Sequence, residues 1–433
     1  KNFSAIVGGA GNDSLTGLNS GQWSVVNANT VNYSNTNTLN VVGFETLIGG
    51  AGNDGLLFTN YFTVANITLV NVGTLDGFDM TEASFNGIFR NVNAVAGTSG
   101  SDTLNGVGSG QWVVVSGNNV NYTNTNTLSI TGFENLVGGS GTDLLDYSAF
   151  NTAVTVNLGI NSASGFTSVA GMENVTGGSG NDSLTGDAGN NVITGNAGND
   201  VIVGGAGMDT VNTSGGVTVN LNLNTVTGTS TGTDTLSGIE NLIVGAGNNT
   251  LDASTVAGNL TFTFNASGVV VSGAANMNVT GNVASVIGGA GNDVLDFSAR
   301  TSALNVQLTA LGSDGFNGSG GITFANVNTL IGGAAVDTLS GLNAMSSWQL
   351  SVNGKQYVSA NTLNFSAFEN LNGGSGADTF VFNGNVSVNG NVNGGAGTDT
   401  LDYSNYTNAV TVSFPTGTAT GVSGTVGNME TVI

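Results

Sequence analysis

Ten aspartates in this chain share one local pattern, with a glycine two residues before and Leu, Ile or Val two residues after. They are Asp13, Asp54, Asp102, Asp143, Asp182, Asp200, Asp209, Asp234, Asp293 and Asp399. Asp378 keeps the pattern with Phe380 in the apolar slot. Glycines permit positive φ and leave backbone carbonyls uncovered. A carboxylate set among such carbonyls is an all-oxygen donor set, and a hard cation such as Ca²⁺ takes about six to eight oxygens at ~2.3–2.6 Å. The chemistry open to these residues is cation binding between stacked turns. A plainer reading is that each Asp accepts hydrogen bonds from nearby backbone N–H groups in an Asx turn. An isolated copy could bind an ion together with an adjacent Glu-type turn, or merely close a corner.

The glutamates follow the same rule. Glu45, Glu134, Glu173 and Glu369 each stand nine residues before Asp54, Asp143, Asp182 and Asp378, the first three in a G-x-E-x-[L/V] string and Glu369 with Ala367 in the glycine place. Glu240 precedes Asn249 by the same interval, Glu430 lies in a truncated last copy, and Ala284 and Asn328 stand where Glu is expected. Only Glu82 lies outside the pattern.

These residues must be positioned by something with a period of nine. From Gly177 to Asn212 the chain reads GGSGNDSLT, GDAGNNVIT, GNAGNDVIV, GGAGMDTVN. No helix fits a unit so rich in Gly. About six turn residues followed by a three-residue strand, its apolar member pointing inward, do fit. This run resembles the RTX, or hemolysin-type, calcium-binding repeat, G-G-x-G-x-D-x-U-x with U apolar. The resemblance implies a right-handed parallel β-solenoid (a β-roll or β-helix) with Ca²⁺ in its Gly-rich turns. It also implies that two nonapeptides make one coil, so that partners lie 18 residues apart. Asp182 with Asp200, and Asn191 with Asp209, are then the expected metal residues of the tandem block. Asp13, Asp54, Asp143, Asp293, Asp378 and Asp399 are the candidates elsewhere.

A longer repeat overlies the short one. Gly21-Gln22-Trp23 through Gly52-Asn53-Asp54 returns at Gly110-Gln111-Trp112 through Gly141-Thr142-Asp143, and more loosely around Trp348, Tyr357 and Phe368-Glu369. Leu145-Asp146-Tyr147-Ser148, Leu295-Asp296-Phe297-Ser298 and Leu401-Asp402-Tyr403-Ser404 open a second module type. Trp23, Trp112 and Trp348 read as core or corner residues, and Phe44, Phe133, Met172, Ile239 and Phe368 as interior plugs. The Asn-Thr-Asn-Thr runs at 35–38 and 124–127 could stack as ladders on a face of the solenoid. The expected organisation is one continuous solenoid over 1–433, with a tandem block at 177–212 and an irregular insertion at 73–90.

Composition narrows the function. The 433 residues include 71 Gly, 1 Pro, no Cys and no His, with 27 acidic against 4 basic residues and a formal net charge of -23. That balance excludes electrostatic binding of nucleic acid and favours cations. No apolar stretch approaches the ~18 residues of a membrane helix, so membrane insertion is not expected. With no His or Cys, thiol chemistry, catalytic triads and most transition-metal sites are absent. A β-helical polysaccharide lyase or hydrolase is the competing reading, because glycoside hydrolysis needs two converging carboxylates. Asp76, Asp79 and Glu82 form the one acidic group outside the repeat.

The function expected is a non-enzymatic structural segment of a secreted bacterial surface protein, such as an adhesin shaft, surface-layer component or extracellular filament. The chain opens inside a motif at Phe3–Gly9 and stops at Met429–Ile433, where a Gly-Gly turn is expected. That suggests a segment of a longer protein or copies associating head to tail or laterally. Cell-surface or polysaccharide contact is a further expectation.

Overall fold

A computed structural model describes residues 3–61 and 64–433 of the chain. Lys1, one of the four basic residues, lies outside the described part. The chain folds into two compact units, Lys1–Asn212 with Ser230–Ile239, and Thr213–Thr229 with Glu240–Ile433. Each is a parallel β-solenoid of short strands and glycine-rich corners.

The tandem block in the first unit shows the elementary coil. Its strands Ser183–Thr185, Val192–Thr194, Val201–Val203 and Thr210–Asn212 are three residues long. In each the middle residue alone points inward, so Leu184, Ile193, Ile202 and Val211 are at most 1% exposed. Leu184 pairs with Ile202 and Ile193 with Val211, both in parallel register at an offset of 18. Two nonapeptides therefore close one coil and put like residues in columns. Each buried Leu or Ile contributes about 1.5–3 kcal/mol, so a thin core is stabilised by repetition and not by breadth.

The longer modules add antiparallel meanders to this coil. Gln22–Asn27, Thr30–Ser34 and Thr38–Val42 run antiparallel to one another. The outer two continue the parallel ladder, with Gly55–Leu57 on one side and Ala5–Val7 on the other. Gln111–Ser116, Asn119–Thr123 and Thr127–Thr131 repeat the arrangement. In the second unit it recurs at Ser346–Ser351, Gly354–Val358 and Thr362–Ser366. The last hairpin turns at Val352-Asn353-Gly354, a sequence suited to a tight loop. Two plain strands, Ser14–Thr16 and Thr46–Ile48, with one meander between them fill the stretch from Asp13 to Asp54, which explains that spacing.

The meanders place the aromatics. Trp23, Trp112 and Trp348 are fully buried. They pack on Tyr33, Tyr122 and Tyr357 with ring centroids 4.4, 4.5 and 4.8 Å apart. Phe133, Met172 and Phe368 fill the interior, whereas Phe44 and Ile239 are half-exposed.

Two expectations need correction. Residues 73–90 are not irregular: Phe78–Glu82 pairs antiparallel with Asn66–Val72 and with Ile88–Val92, a further meander. Its alternation was hidden because Asp79 and Glu82, which look like loop residues, are buried and hydrogen-bonded there. The Asn-Thr runs do not stack on a face. They form exposed bends between the second and third meander strands, where Asn35 and Asn124 donate to the carbonyls of Asn19 and Val107.

Candidate metal centre

Each motif turn lies at a corner where one strand enters the next, and the corners of successive coils stack. In the tandem block, the backbone N–H of Asp182 donates to Asp200 Oδ1 at 2.8 Å, and that of Asp200 to Asp234 Oδ1 at 3.0 Å. On the other side, the N–H of Asn191 donates to Asp209 Oδ1 at 2.8 Å. The Asn191 amide donates in turn to the carbonyl of Glu173 at 2.7 Å. One oxygen of each motif carboxylate is thus fixed by the coil before it. The residue preceding the Asp builds a second column in the opposite sense. Asn181 Oδ1 accepts from the Asn199 N–H, and Asn199 Oδ1 from the Thr233 N–H, both at 2.8 Å.

The same ladder organises the isolated turns, with Glu or Asn in the following place. The N–H of Asp13 donates to Glu45 Oε2, that of Asp143 to Glu173 Oε2, and that of Asp102 to Glu134 Oε2, at 2.8, 2.7 and 2.9 Å. Asp54 and Asp293 donate to Asn93 and Asn328 instead, at 3.2 and 3.0 Å. The longer Glu side chain comes from a shorter turn and reaches the place an Asp fills in the tandem block. This gives the G-x-E string its physical meaning.

Asp378 and Asp399 form a second repeat pair. The N–H of Asp378 donates to Asp399 Oδ1 at 2.8 Å across 21 residues, and that of Asp399 donates to Glu430 Oε2 at 2.7 Å. Of the candidates, then, Asp182 joins Asp200, Asn191 joins Asp209, and Asp378 joins Asp399. Asp13, Asp54, Asp143 and Asp293 each face a Glu or Asn and not another repeat Asp. Asp337, which was not among the candidates, belongs with them: its N–H donates to Glu369 Oε2 and its Oδ1 accepts from the Leu304 N–H. Ala335 in place of the motif glycine hides it, but Gly332-Gly333 and its 41-residue distance from Asp378 are the signals that could have found it.

The second carboxylate oxygen divides the turns. In Asp143, Asp182, Asp293 and Asp337 it accepts from the N–H four residues earlier in its own turn, the local bonding expected of an Asx-type corner. In Asp54, Asp200, Asp378 and Asp399 Oδ2 is buried with no hydrogen bond. An unsatisfied buried charged oxygen costs more than the ~1–3 kcal/mol of a neutral group, so these four call for a cation or a proton. Burial drives the Asp200 carboxyl up to about 7, with the charges of Asp234 and Asp182 adding to it. Burial likewise takes Asp234 and Asp378 to about 6.

Carbonyl oxygens line the same corners. Gly198 has φ +125, and a Cβ there would lie 2.0 Å from the Gly180 carbonyl oxygen of the adjacent coil. Gly397, at φ +142, would meet the Gly376 oxygen at 2.1 Å. Backbone oxygens beside a partnerless carboxylate are the donor set a hard cation takes. The residues therefore fit calcium best at Asp182 with Asp200 and at Asp378 with Asp399. When bound, the ion supplies the positive charge the carboxylates lack.

Comparison with known families agrees with this geometry. The family model of the RTX calcium-binding nonapeptide repeat matches in four copies over residues 5–20, 42–56, 176–211, 234–255 and 285–299. These segments hold the turns at Asp13, Asp54, Asp182, Asp200, Asp209, Asp234 and Asp293. The turns at Asp102, Asp143, Asp337, Asp378 and Asp399 lie outside them and make the same ladder contacts. A search of curated proteins gives no match. RTX nonapeptide repeats bind calcium ions, and this chain carries such repeats, stacked as a parallel solenoid.

Proposed function

We propose that the chain is a non-enzymatic, calcium-stiffened structural segment of a secreted bacterial surface protein, of the adhesin-shaft, surface-layer or filament kind. RTX-repeat proteins are typically secreted, and no helix among the described residues is long and apolar enough to cross a membrane. The observation that carries the reading is where the carboxylates sit. The motif acids are built into the corners, with backbone N–H groups fixing one oxygen of each, and are not gathered round a groove. Four surface hollows of about 310–520 Å³ have no Asp or Glu in their linings. Of the off-repeat acids, Asp79 pairs with Arg90 at 3.4 Å. Glu82 accepts from the Ser84 and Asn66 N–H groups. Neither is free to act on a glycosidic bond.

Self-association, head to tail or lateral, belongs to the same proposal, as does contact with a cell surface or polysaccharide. Exposed strand edges template pairing with further strands. The test combines sedimentation of the calcium-loaded chain over a range of concentrations with incubation against acidic and neutral polysaccharides. Concentration-dependent assembly without cleavage products is expected. Cleavage of any polysaccharide would overturn the structural reading in favour of a β-helical enzyme.

A further inference from the structure

The isolated turns at Gly49–Asp54 and Gly288–Asp293 lack an acid on the following coil, since Asn93 and Asn328 occupy the place that Glu takes elsewhere. In both modules a meander loop brings an acid back. Asp76 lies between strands Asn66–Val72 and Phe78–Glu82, and Asp314 between Asn305–Leu311 and Phe316–Ser319. The Gly52 N–H donates to Asp76 Oδ2 at 2.9 Å, and the Gly291 N–H to Asp314 Oδ2 at 3.1 Å. The acid thus rests on the motif glycine two residues before Asp54 in one module and two before Asp293 in the other.

The loops are held by design of the backbone. Asn91 and Asn326 are buried and adopt left-handed φ values of 52° and 59°. Asn91 Oδ1 accepts from the Leu75 N–H at 3.3 Å. Asn326 Oδ1 accepts from the Asp314 N–H at 3.0 Å, and its amide donates to the Gly289 carbonyl of the turn itself. The strings Asp-Gly-Phe and Asn-Val-Asn, at 76–78 with 91–93 and at 314–316 with 326–328, carry this arrangement in the sequence.

At the first turn two oxygens are left over. Asp54 is fully buried and its Oδ2 has no hydrogen bond, and the same is true of the buried Oδ1 of Asp76. Two like charges side by side in a buried corner repel; burial raises the Asp54 carboxyl, and the Asp76 charge adds to it. We propose that Asp54 and Asp76, with the carbonyls of the Gly49–Asp54 turn, form a calcium site whose second carboxylate comes from a meander loop and not from a stacked repeat. Asp314 meets the Gly291 N–H in the same way, but both oxygens of Asp293 already accept from the Leu260 and Gly289 N–H groups, so the proposal is confined to the first turn. The inference rests on the calcium-scaffold reading and adds one acid that lies outside the repeat.

The test counts bound calcium per chain by equilibrium dialysis and elemental analysis for the unaltered protein and D76N. Asn keeps an acceptor for the Gly52 N–H, so the variant should fold and should melt no lower than the unaltered chain in excess chelator. It is expected to bind one ion fewer. An unchanged count in D76N overturns the proposal, because Asp76 would then be only a hydrogen-bond acceptor or half of a proton-sharing pair. An unaltered protein that bound no calcium would sink the scaffold reading itself, and this site with it.

Discussion

At the scale of the residue, the motif aspartate does two things that the sequence suggests only separately. Asp182 closes its own turn through the Gly178 N–H and receives the Val154 N–H of the coil before it, whereas Asp200 receives the Asp182 N–H and leaves its second oxygen unpaired. The pKa values give this a measurable consequence. Asp200 is raised from 3.8 to about 7, and Asp234 and Asp378 to about 6. A carboxyl whose folded pKa exceeds its unfolded one binds more protons in the native state between the two values, so stability falls as pH rises through that window. In chelator, the melting temperature should therefore drop as pH rises from about 4 to about 7, the interval spanned by those shifts. In millimolar calcium the drop should vanish, because the ion favours the ionised form. Thermal unfolding at several pH values checks this, and a calcium-free protein that gains stability over the same range would contradict it.

The element scale is where sequence and structure part most instructively. The tandem block was legible almost residue by residue, because a period of nine with one inward apolar residue leaves little choice of register; Leu184 over Ile202 follows from it. The meanders were not legible as such. Repeated Trp and Tyr residues marked the modules, but alternation within a strand does not say whether the next strand returns antiparallel. At 73–90 buried polar residues concealed the strand altogether, and the pairing of Asp378 with Asp399 was hidden by an offset of 21 in place of 18.

Two side-chain effects belong to this scale. Tyr122 accepts from the Val107 N–H at 3.1 Å and donates to its carbonyl at 2.6 Å, closing the turn before the second tryptophan. Replacing Tyr122 with Phe should cost about 1–3 kcal/mol by orphaning those groups, read as a lower denaturant midpoint with unchanged slope. Gly198→Ala should cost more, because Ala is strained at φ +125 and its Cβ would collide with the Gly180 oxygen. That variant should also weaken calcium binding at Asp200, whereas Tyr122→Phe should leave it intact.

For the molecule as a whole, the net charge of -23 and the narrow core pull in opposite directions. Like charges destabilise a compact chain, and the corners concentrate acids where water is excluded. Calcium bound at these corners would reverse that penalty and, being millimolar outside cells, would couple folding to the compartment. The composition showed the need for cations; only the structure showed which oxygens lack partners. The most direct test of the account is thermal unfolding followed by circular dichroism, in millimolar calcium and again in excess chelator at neutral pH. The account predicts a large fall in melting temperature, with loss of β signal, when calcium is removed. Identical unfolding in the two conditions would contradict it, leaving the glycine corners as plain turns of a metal-free solenoid.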